Sequence, residues 1–295
     1  MTVQFQGIIP ALVTPFDKEG EINETAFREQ VRFMLGKGVH GVCVGGSTGE
    51  GYALDVDEFR GLVKIAVEEV AGRIPVVAGI IANSTREVIV RGRAVQDLGI
   101  AALQITPTFY VFVTDEESTF GHFKTVADTL GLPIILYNVI PWNQIETELV
   151  LRILREIPLV VGIKQSQGNI QRAAQLVVNA PEGKAILAAI DDLLYPCFAM
   201  GAHGTLAASP TAAPGPCVTL WNAVKAGDHA TGKEIHKRLV NFWHAMPHAN
   251  LPACVKYALE LQGCPGGLPR QPMPMPNAEE RSGIERTLKA LLEFD

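Results

Sequence analysis

The sequence predicts a (β/α)8 barrel with a C-terminal helical extension, and three observations carry that reading. Eight short runs rich in Val and Ile recur through the first 210 or so residues. Longer segments with apolar residues at three- and four-residue intervals separate them, the period of a helix with one buried face. Gly and Pro mark several of the junctions where a helix must end and a strand begin. Near-continuous apolar strands alternating with such helices imply a parallel sheet covered on its outer face, and eight units are the number at which that sheet closes into a barrel.

Taken in order, the predicted strands are 7–13 (GIIPALV), 41–44 (GVCV), 75–80 (PVVAGI), 102–106 (ALQIT), 133–138 (PIILYN), 160–165 (VVGIKQ), 185–190 (AILAAI) and 204–209 (GTLAAS). Helical spacing fills 24–35, 57–70, 85–98, 116–130, 147–155 and 170–178 between them. Lys37-Gly38, Ile74-Pro75, Leu98-Gly99 and Leu132-Pro133 punctuate the entries to strands two to five. No strand pattern follows Ser209, and the remaining residues read as helices interrupted by QPMPMP at 271–276. Residues 1–210 are therefore expected to hold the barrel strands, and 211–295 the last barrel helix and a helical appendage. No linker composition separates the two, so they are read as one structural unit. An open doubly wound sheet is the competing architecture that the same alternation permits.

Composition narrows the function classes. The 295 residues are 47% hydrophobic and 19% charged with a net charge of -6, and the charges are scattered. This balance argues against nucleic acid as a partner. No apolar run reaches the ~18 residues of a membrane-spanning helix. The five cysteines show no CxxC spacing, which fits a reducing compartment and a cytoplasmic, unprocessed chain. The seven histidines show no HExxH pattern, so no metal site is expected. His203 reads as structural, and Asp191 and Asp192 read first as a helix N-cap and a first-turn acid.

In a barrel of this type chemistry gathers at the C-terminal strand ends. Those ends carry Thr14-Pro15, the loop GGSTGEG at 45–51, Thr106-Pro107, Tyr137-Asn138 and Lys164-Gln165-Ser166. The GGSTGEG loop places four glycines around two hydroxyls just before a helix, which exposes backbone N–H groups to an anion such as a carboxylate or phosphate. A tight turn alone would require the same glycines. Tyr137, taken singly, would serve as a barrel-wall tyrosine with a satisfied hydroxyl. Lys164 ends a strand that otherwise reads as fully buried. A lysine there either extends its ammonium to water along its alkyl stem or sits in an apolar pocket that favours the free amine, which can attack a carbonyl and form a Schiff base. The neighbouring Ser-Thr loop and tyrosine favour the second alternative.

The order of these motifs, GSTGE after strand two, TP with aromatics after strand four, YN at strand five and GIK at strand six, resembles the dihydrodipicolinate synthase and N-acetylneuraminate lyase family of Schiff-base enzymes. The resemblance runs from Gly7 to about Ser209, and the helical tail also matches in length. It implies that Lys164 condenses with the 2-oxo group of pyruvate or a related keto acid, with no metal or organic cofactor. It implies Tyr137 as proton carrier, linked to Thr48 and to a tyrosine after strand four, for which Tyr110 is the nearest match. Ser47 and Thr48 would hold the substrate carboxylate, with Gly46 and Leu206 completing the substrate wall. It further implies a homotetramer built from dimers, with Tyr110 donated across an interface.

Two departures bear on the substrate. The synthase pattern continues from YN through valine and proline to an arginine for the second substrate's carboxylate, whereas this chain reads YNVIPWNQ at 137–144 and carries no arginine there. Ile190 stands where the synthase pattern has glycine, and Phe109 and Phe112 make the loop after strand four more apolar. Within the family, PW after YNV together with KQS at the lysine is most similar to catabolic dehydratases and deaminases. This yields the expectation of a cyclic 2-imino acid substrate such as 1-pyrroline-4-hydroxy-2-carboxylate. A pyruvate-dependent aldolase or a dihydrodipicolinate synthase is the alternative, and a keto-acid sensor that performs no turnover is the non-enzymatic one.

Overall fold

A computed structural model describes residues 4–295. Eight parallel strands form one sheet in the order β1-β8-β7-β6-β5-β4-β3-β2, and helices alternate with them. The strands are β1 (Gly7–Pro10), β2 (Val42–Val44), β3 (Val76–Ile80), β4 (Ala102–Ile105), β5 (Ile134–Asn138), β6 (Val160–Gln165), β7 (Ala185–Ala188) and β8 (Gly204–Ala207). The β1–β2 seam is drawn together by a parallel bridge between Ala11 and Cys43 and by the Leu12 N–H donating to the Cys43 carbonyl at 2.8 Å. The fold is a (β/α)8 barrel, the architecture its sequence period predicts.

The outer helices are α1 (Glu24–Gly36), α2 (Val56–Val70), α3 (Thr85–Val95), α4 (Glu116–Leu130), α5 (Thr147–Glu156), α6 (Ile170–Asn179) and α7 (Leu194–Ala199). A single turn, α8 (Ser209–Ala212), precedes α9 (Pro214–Lys225), which covers β1. Their starts follow ordinary capping chemistry: Asn23, Asp55, Ser84, Asp115 and Asn169 each accept a first-turn N–H, satisfying donors that have no partner within the helix.

The core has two layers, as the alternation of strand side chains requires. Ile8, Val42, Val44, Leu103, Leu136 and Ile186 face the helices. Ile9, Cys43, Val77, Ala102, Ile135, Leu187 and Leu206 fill the barrel interior, together with Phe5. The barrel is thus packed shut below its C-terminal rim, which leaves that rim as the place for a site.

Beyond α9 the chain forms α10 (His229–Ala245), α11 (Leu251–Glu260) and α12 (Ala278–Leu291). Between α11 and α12 an extended segment returns across the C-terminal face of the barrel. There Leu268 pairs with Phe16, the two residues exchanging N–H···O bonds of 3.1 and 2.8 Å. No helix is long and apolar enough to cross a membrane among the described residues.

Candidate active site

A cavity of about 370 Å³ opens at the C-terminal rim, and Lys164, Tyr137, Ser47 and Thr48 all line it. Three of the strand ends in the motif order, those of β2, β5 and β6, therefore converge, and each side chain has a local reason for its direction.

Lys164 reaches the cavity through an irregularity in its strand. β5 and β6 pair Ile134 with Val160, but the next pair is Ile135 with Gly162, so Val161 is an extra residue on β6. Such a bulge shifts the side-chain alternation of the strand beyond it. With unbroken pairing Ile163 would lie opposite Tyr137 and Lys164 would point into the helix layer. With the bulge Lys164 lies opposite Tyr137, and Ile163 packs on the helix side. Gly162 is required at this point, because a Cβ there would stand 2.4 Å from the Ala185 carbonyl oxygen.

The Lys164 side chain is 4% exposed, and its Nζ sits 3.8 Å from the centre of the Tyr137 ring. It has no hydrogen-bonding or carboxylate partner among the described residues. An amine held over an electron-rich ring face and open to a cavity is placed to meet a carbonyl carbon. Asp191 is the one acidic residue that lines the cavity among the described residues. Burial pushes its carboxyl above the usual range, while the Ser209 N–H, donating at 2.6 Å, and the charge of Lys164 pull the other way.

The 45–51 loop is shaped by close backbone contacts. Gly45 has φ +77°, and a Cβ on it would lie 2.7 Å from the Phe59 ring. A Cβ on Gly51 would overlap the Gly45 carbonyl oxygen. Ser47, rather than the Thr48 that the resemblance implies, receives the Tyr137 hydroxyl, at 3.2 Å; it stands four residues past the inward-facing Cys43, on the same side of a two-residue alternation. Thr48 lines the cavity beside it, and Gly46 lies buried behind the loop with Gln104 as its nearest side chain.

Two expected residues lie elsewhere. Leu206 is fully buried in the packed barrel interior and does not line the cavity; the strand alternation turns it inward below the rim, and Ala207 and Ala208 form the wall at that point. Tyr110 is 71% exposed and does not line the cavity within this chain. Its backbone is fixed, because the N–H groups of Phe109 and Tyr110 both donate to the Asn83 side chain, but the phenol projects outward. Asp191, expected as the cap of its own helix, instead accepts the N–H that begins the turn after β8.

The appendage supplies what motif reading leaves out. Trp243 and His248, whose rings stand 4.7 Å apart, join Leu251, Pro252 and Met273 in lining the cavity. These residues come from the end of α10, the start of α11 and the returning segment. Nothing in their local sequence signals a site, since they reach it only through long-range packing. Among the described residues no cluster of three or more His, Cys, Asp or Glu side chains has the arrangement of a metal site.

The whole chain matches known proteins in the same way. The family model for the Dihydrodipicolinate synthetase family covers residues 4–291. The chain belongs to this family. The 4-hydroxy-tetrahydrodipicolinate synthase of Azoarcus sp. is 37% identical over 97% of each chain. The enzyme of the same name from Methanopyrus kandleri is 35% identical over 99% of this chain and 98% of its own. Among solved structures, the dihydrodipicolinate synthase of Thermotoga maritima superposes with a TM-score of 0.93 at 27% identity, covering 98% of this chain and 99% of that one. As a member of the dihydrodipicolinate synthetase family the protein is a lyase of the Schiff-base class, which is the chemistry the strand-six lysine suggests.

Proposed function

We propose that the protein makes or breaks a carbon–carbon bond between pyruvate and an aldehyde through a Schiff base on Lys164. The observation that carries this is the free Lys164 amine, held 3.8 Å from the Tyr137 ring at the floor of a cavity whose other side is the Ser47-Thr48 loop. The relatives are named synthases, which supports bond formation over the dehydratase or deaminase reading drawn from YNVIPWN.

In this reading the hydroxyls and N–H groups of Ser47 and Thr48 hold the pyruvate carboxylate. The Lys164 nitrogen adds to the 2-oxo carbon, and the carbinolamine loses water to give an iminium. That cation withdraws electrons from the methyl carbon, so a proton leaves it and an enamine forms. The enamine carbon attacks the aldehyde carbon and the aldehyde oxygen takes a proton; hydrolysis of the iminium then frees Lys164. Tyr137, hydrogen-bonded to Ser47, carries protons in both directions. Cleavage is the same sequence reversed.

The acceptor end of the cavity is lined by Tyr52, Val139, Trp243, His248, Leu251, Pro252 and Met273, mostly apolar or aromatic, and no arginine lines it among the described residues. An aldehyde with an apolar body suits these walls better than a second carboxylate does. We further propose that the chain works as an oligomer. Tyr110, Val111, Phe112 and Val113 are all exposed, Phe112 by 78%, and the exposed Trp142 adjoins them through its N–H bond of 2.8 Å to the Phe109 carbonyl. A contiguous apolar strip of this kind is an association surface, and it would bring Tyr110 to a partner's site. In a forced monomer turnover should fall while Schiff-base formation persists; unchanged turnover on dilution to monomer contradicts the relay.

The test is a substrate screen with three readouts: pyruvate, ammonia and semialdehyde. Pyruvate consumed with an aldehyde, aspartate semialdehyde included, or released from a 4-hydroxy-2-keto acid supports the reading. Ammonia and a semialdehyde formed without change in pyruvate contradicts it. Ligand binding without turnover in any arm would return the sensor reading.

A further inference from the structure

The structure contains a second buried lysine, remote from the chemistry in sequence. Lys256 lies in the middle of α11 with no exposed surface, and its ammonium contacts the Glu50 carboxylate at 2.5 Å, where Glu50 is itself 1% exposed. A fully buried ion pair needs further hydrogen bonds to offset its desolvation, and here both Glu50 oxygens and two of the three Lys256 N–H groups have partners. Lys256 also donates to the Leu268 carbonyl at 2.7 Å, and the second Glu50 oxygen accepts the Arg270 backbone N–H at 2.9 Å. Both cations lie against the Phe16 ring, 4.9 Å from its centre for Lys256 Nζ and 4.2 Å for the Arg270 guanidinium.

Glu50 stands two residues beyond Thr48 in the GGSTGEG loop, with φ 54°, a left-handed conformation that side chains other than glycine adopt rarely. Its neighbours are held from the same side. The Arg270 guanidinium donates to the Ala53 carbonyl at 2.7 Å and forms a two-pronged pair with Glu58, so one residue of the returning segment grips 50–58 at three points. The returning segment fits tightly against α11, because Gly266 packs where a Cβ would lie 2.3 Å from the Lys256 carbonyl oxygen. The two elements joined at Lys256 also carry Leu251, Pro252 and Met273 into the cavity wall.

We propose that Glu50, Lys256 and Arg270 form a clasp that sets the position of the Ser47-Thr48 loop against the C-terminal roof, acting as positioning residues for the substrate carboxylate. This rests on the assignment of that loop to the carboxylate. The loop's side-chain hydroxyls are too short to correct for a backbone displacement, and a misplacement of about 1 Å can cost on the order of 100-fold in rate or affinity. The clasp also gives the appendage a role: the roof and the carboxylate site move as one body.

The test compares the wild type with Glu50→Gln/Lys256→Met, which removes both charges together and so leaves no buried ion unpaired. With a thermal midpoint close to the wild type, the clasp predicts a KM for pyruvate raised roughly tenfold or more and a kcat within about threefold. A folded double variant with wild-type KM overturns the proposal. Native-state hydrogen exchange on the wild type gives a reading that needs no variant. The amides of Glu50, Gly51, Leu268 and Arg270 should open in one event with one free energy and one denaturant slope, and independent opening of the loop and the returning segment overturns the clasp. Borohydride trapping of pyruvate on wild-type Lys164 is run beside both. A wild type that traps nothing removes the functional reading, whereas the exchange data still decide the clasp.

Discussion

Two lysines withdrawn from water divide the molecule's functional face between them. Lys256, on α11, spends its charge on Glu50 and on the Leu268 carbonyl, and every contact it makes holds one segment against another. Lys164, at the end of β6, is nearly as buried but meets an aromatic ring and an open cavity, with no carboxylate partner among the described residues. Burial of an amine therefore does not by itself mark a catalytic residue. A paired ammonium belongs to the scaffold, and an unpaired one facing a cavity is available for chemistry.

Removing each side chain should break the comparison in opposite ways. Lys164→Met should reduce turnover to background while leaving the thermal midpoint unchanged or raised, because an unpaired buried amine is replaced by an apolar chain of similar length; a kinetic assay and a melting curve on one preparation check both. Tyr137→Phe should lower kcat by about 10²- to 10⁴-fold, the usual contribution of a positioned acid–base group, and slow borohydride trapping without abolishing it. Retention of wild-type kcat would remove Tyr137 from the proton path. Lys256→Met alone should destabilise the protein by about 3–5 kcal/mol, since Glu50 is left buried and unpaired, and denaturant unfolding measures that loss.

Smaller effects sharpen the account of how Lys164 is aimed. Gly162→Ala forces a methyl against the Ala185 carbonyl and should cost about 1–3 kcal/mol, with a reduced yield of the trapped adduct as β6 is displaced. A stability and adduct yield equal to wild type would show that the bulge tolerates a side chain.

His122 offers a control away from both lysines. Burial holds its imidazole down to about 4, below the ordinary value of 6.5, with Nδ1 at 2.9 Å from the Thr85 hydroxyl and Nε2 buried without a partner. The unfolded chain therefore binds the proton more tightly in the window between those values, and stability falls as pH drops through it. Between pH 7 and pH 5 the loss should be about 2 kcal/mol. The same pair of unfolding curves on His122→Gln should show that much less pH dependence.

Much of this was legible in the sequence because it is local. The helix and strand periods, the glycine-rich loop and the lysine at a strand end each follow from a few adjacent residues, and the barrel rule alone brings the C-terminal strand ends to one rim. The exceptions share a physical cause. A strand read at a strict period of two would send Lys164 to the helix side, and only the extra Val161, set by the pairing with β5, returns it to the cavity. The link from Tyr137 to Thr48 rests on resemblance, and packing gives that bond to Ser47, while the inward turn of β8 substitutes Ala207 for Leu206 at the wall. Trp243, Leu251 and Met273 reach the cavity across a long stretch of chain, and their own neighbourhoods in sequence resemble any helix end or proline-rich turn.

The central claim is that the Lys164 amine captures a keto acid. Incubation with pyruvate and borohydride, followed by peptide mass analysis, tests it directly. The account predicts one reduced pyruvate adduct on the peptide carrying Lys164, none on Lys256, and none anywhere in Lys164→Met. An unmodified Lys164 at saturating pyruvate, or an adduct that persists in Lys164→Met, would contradict it.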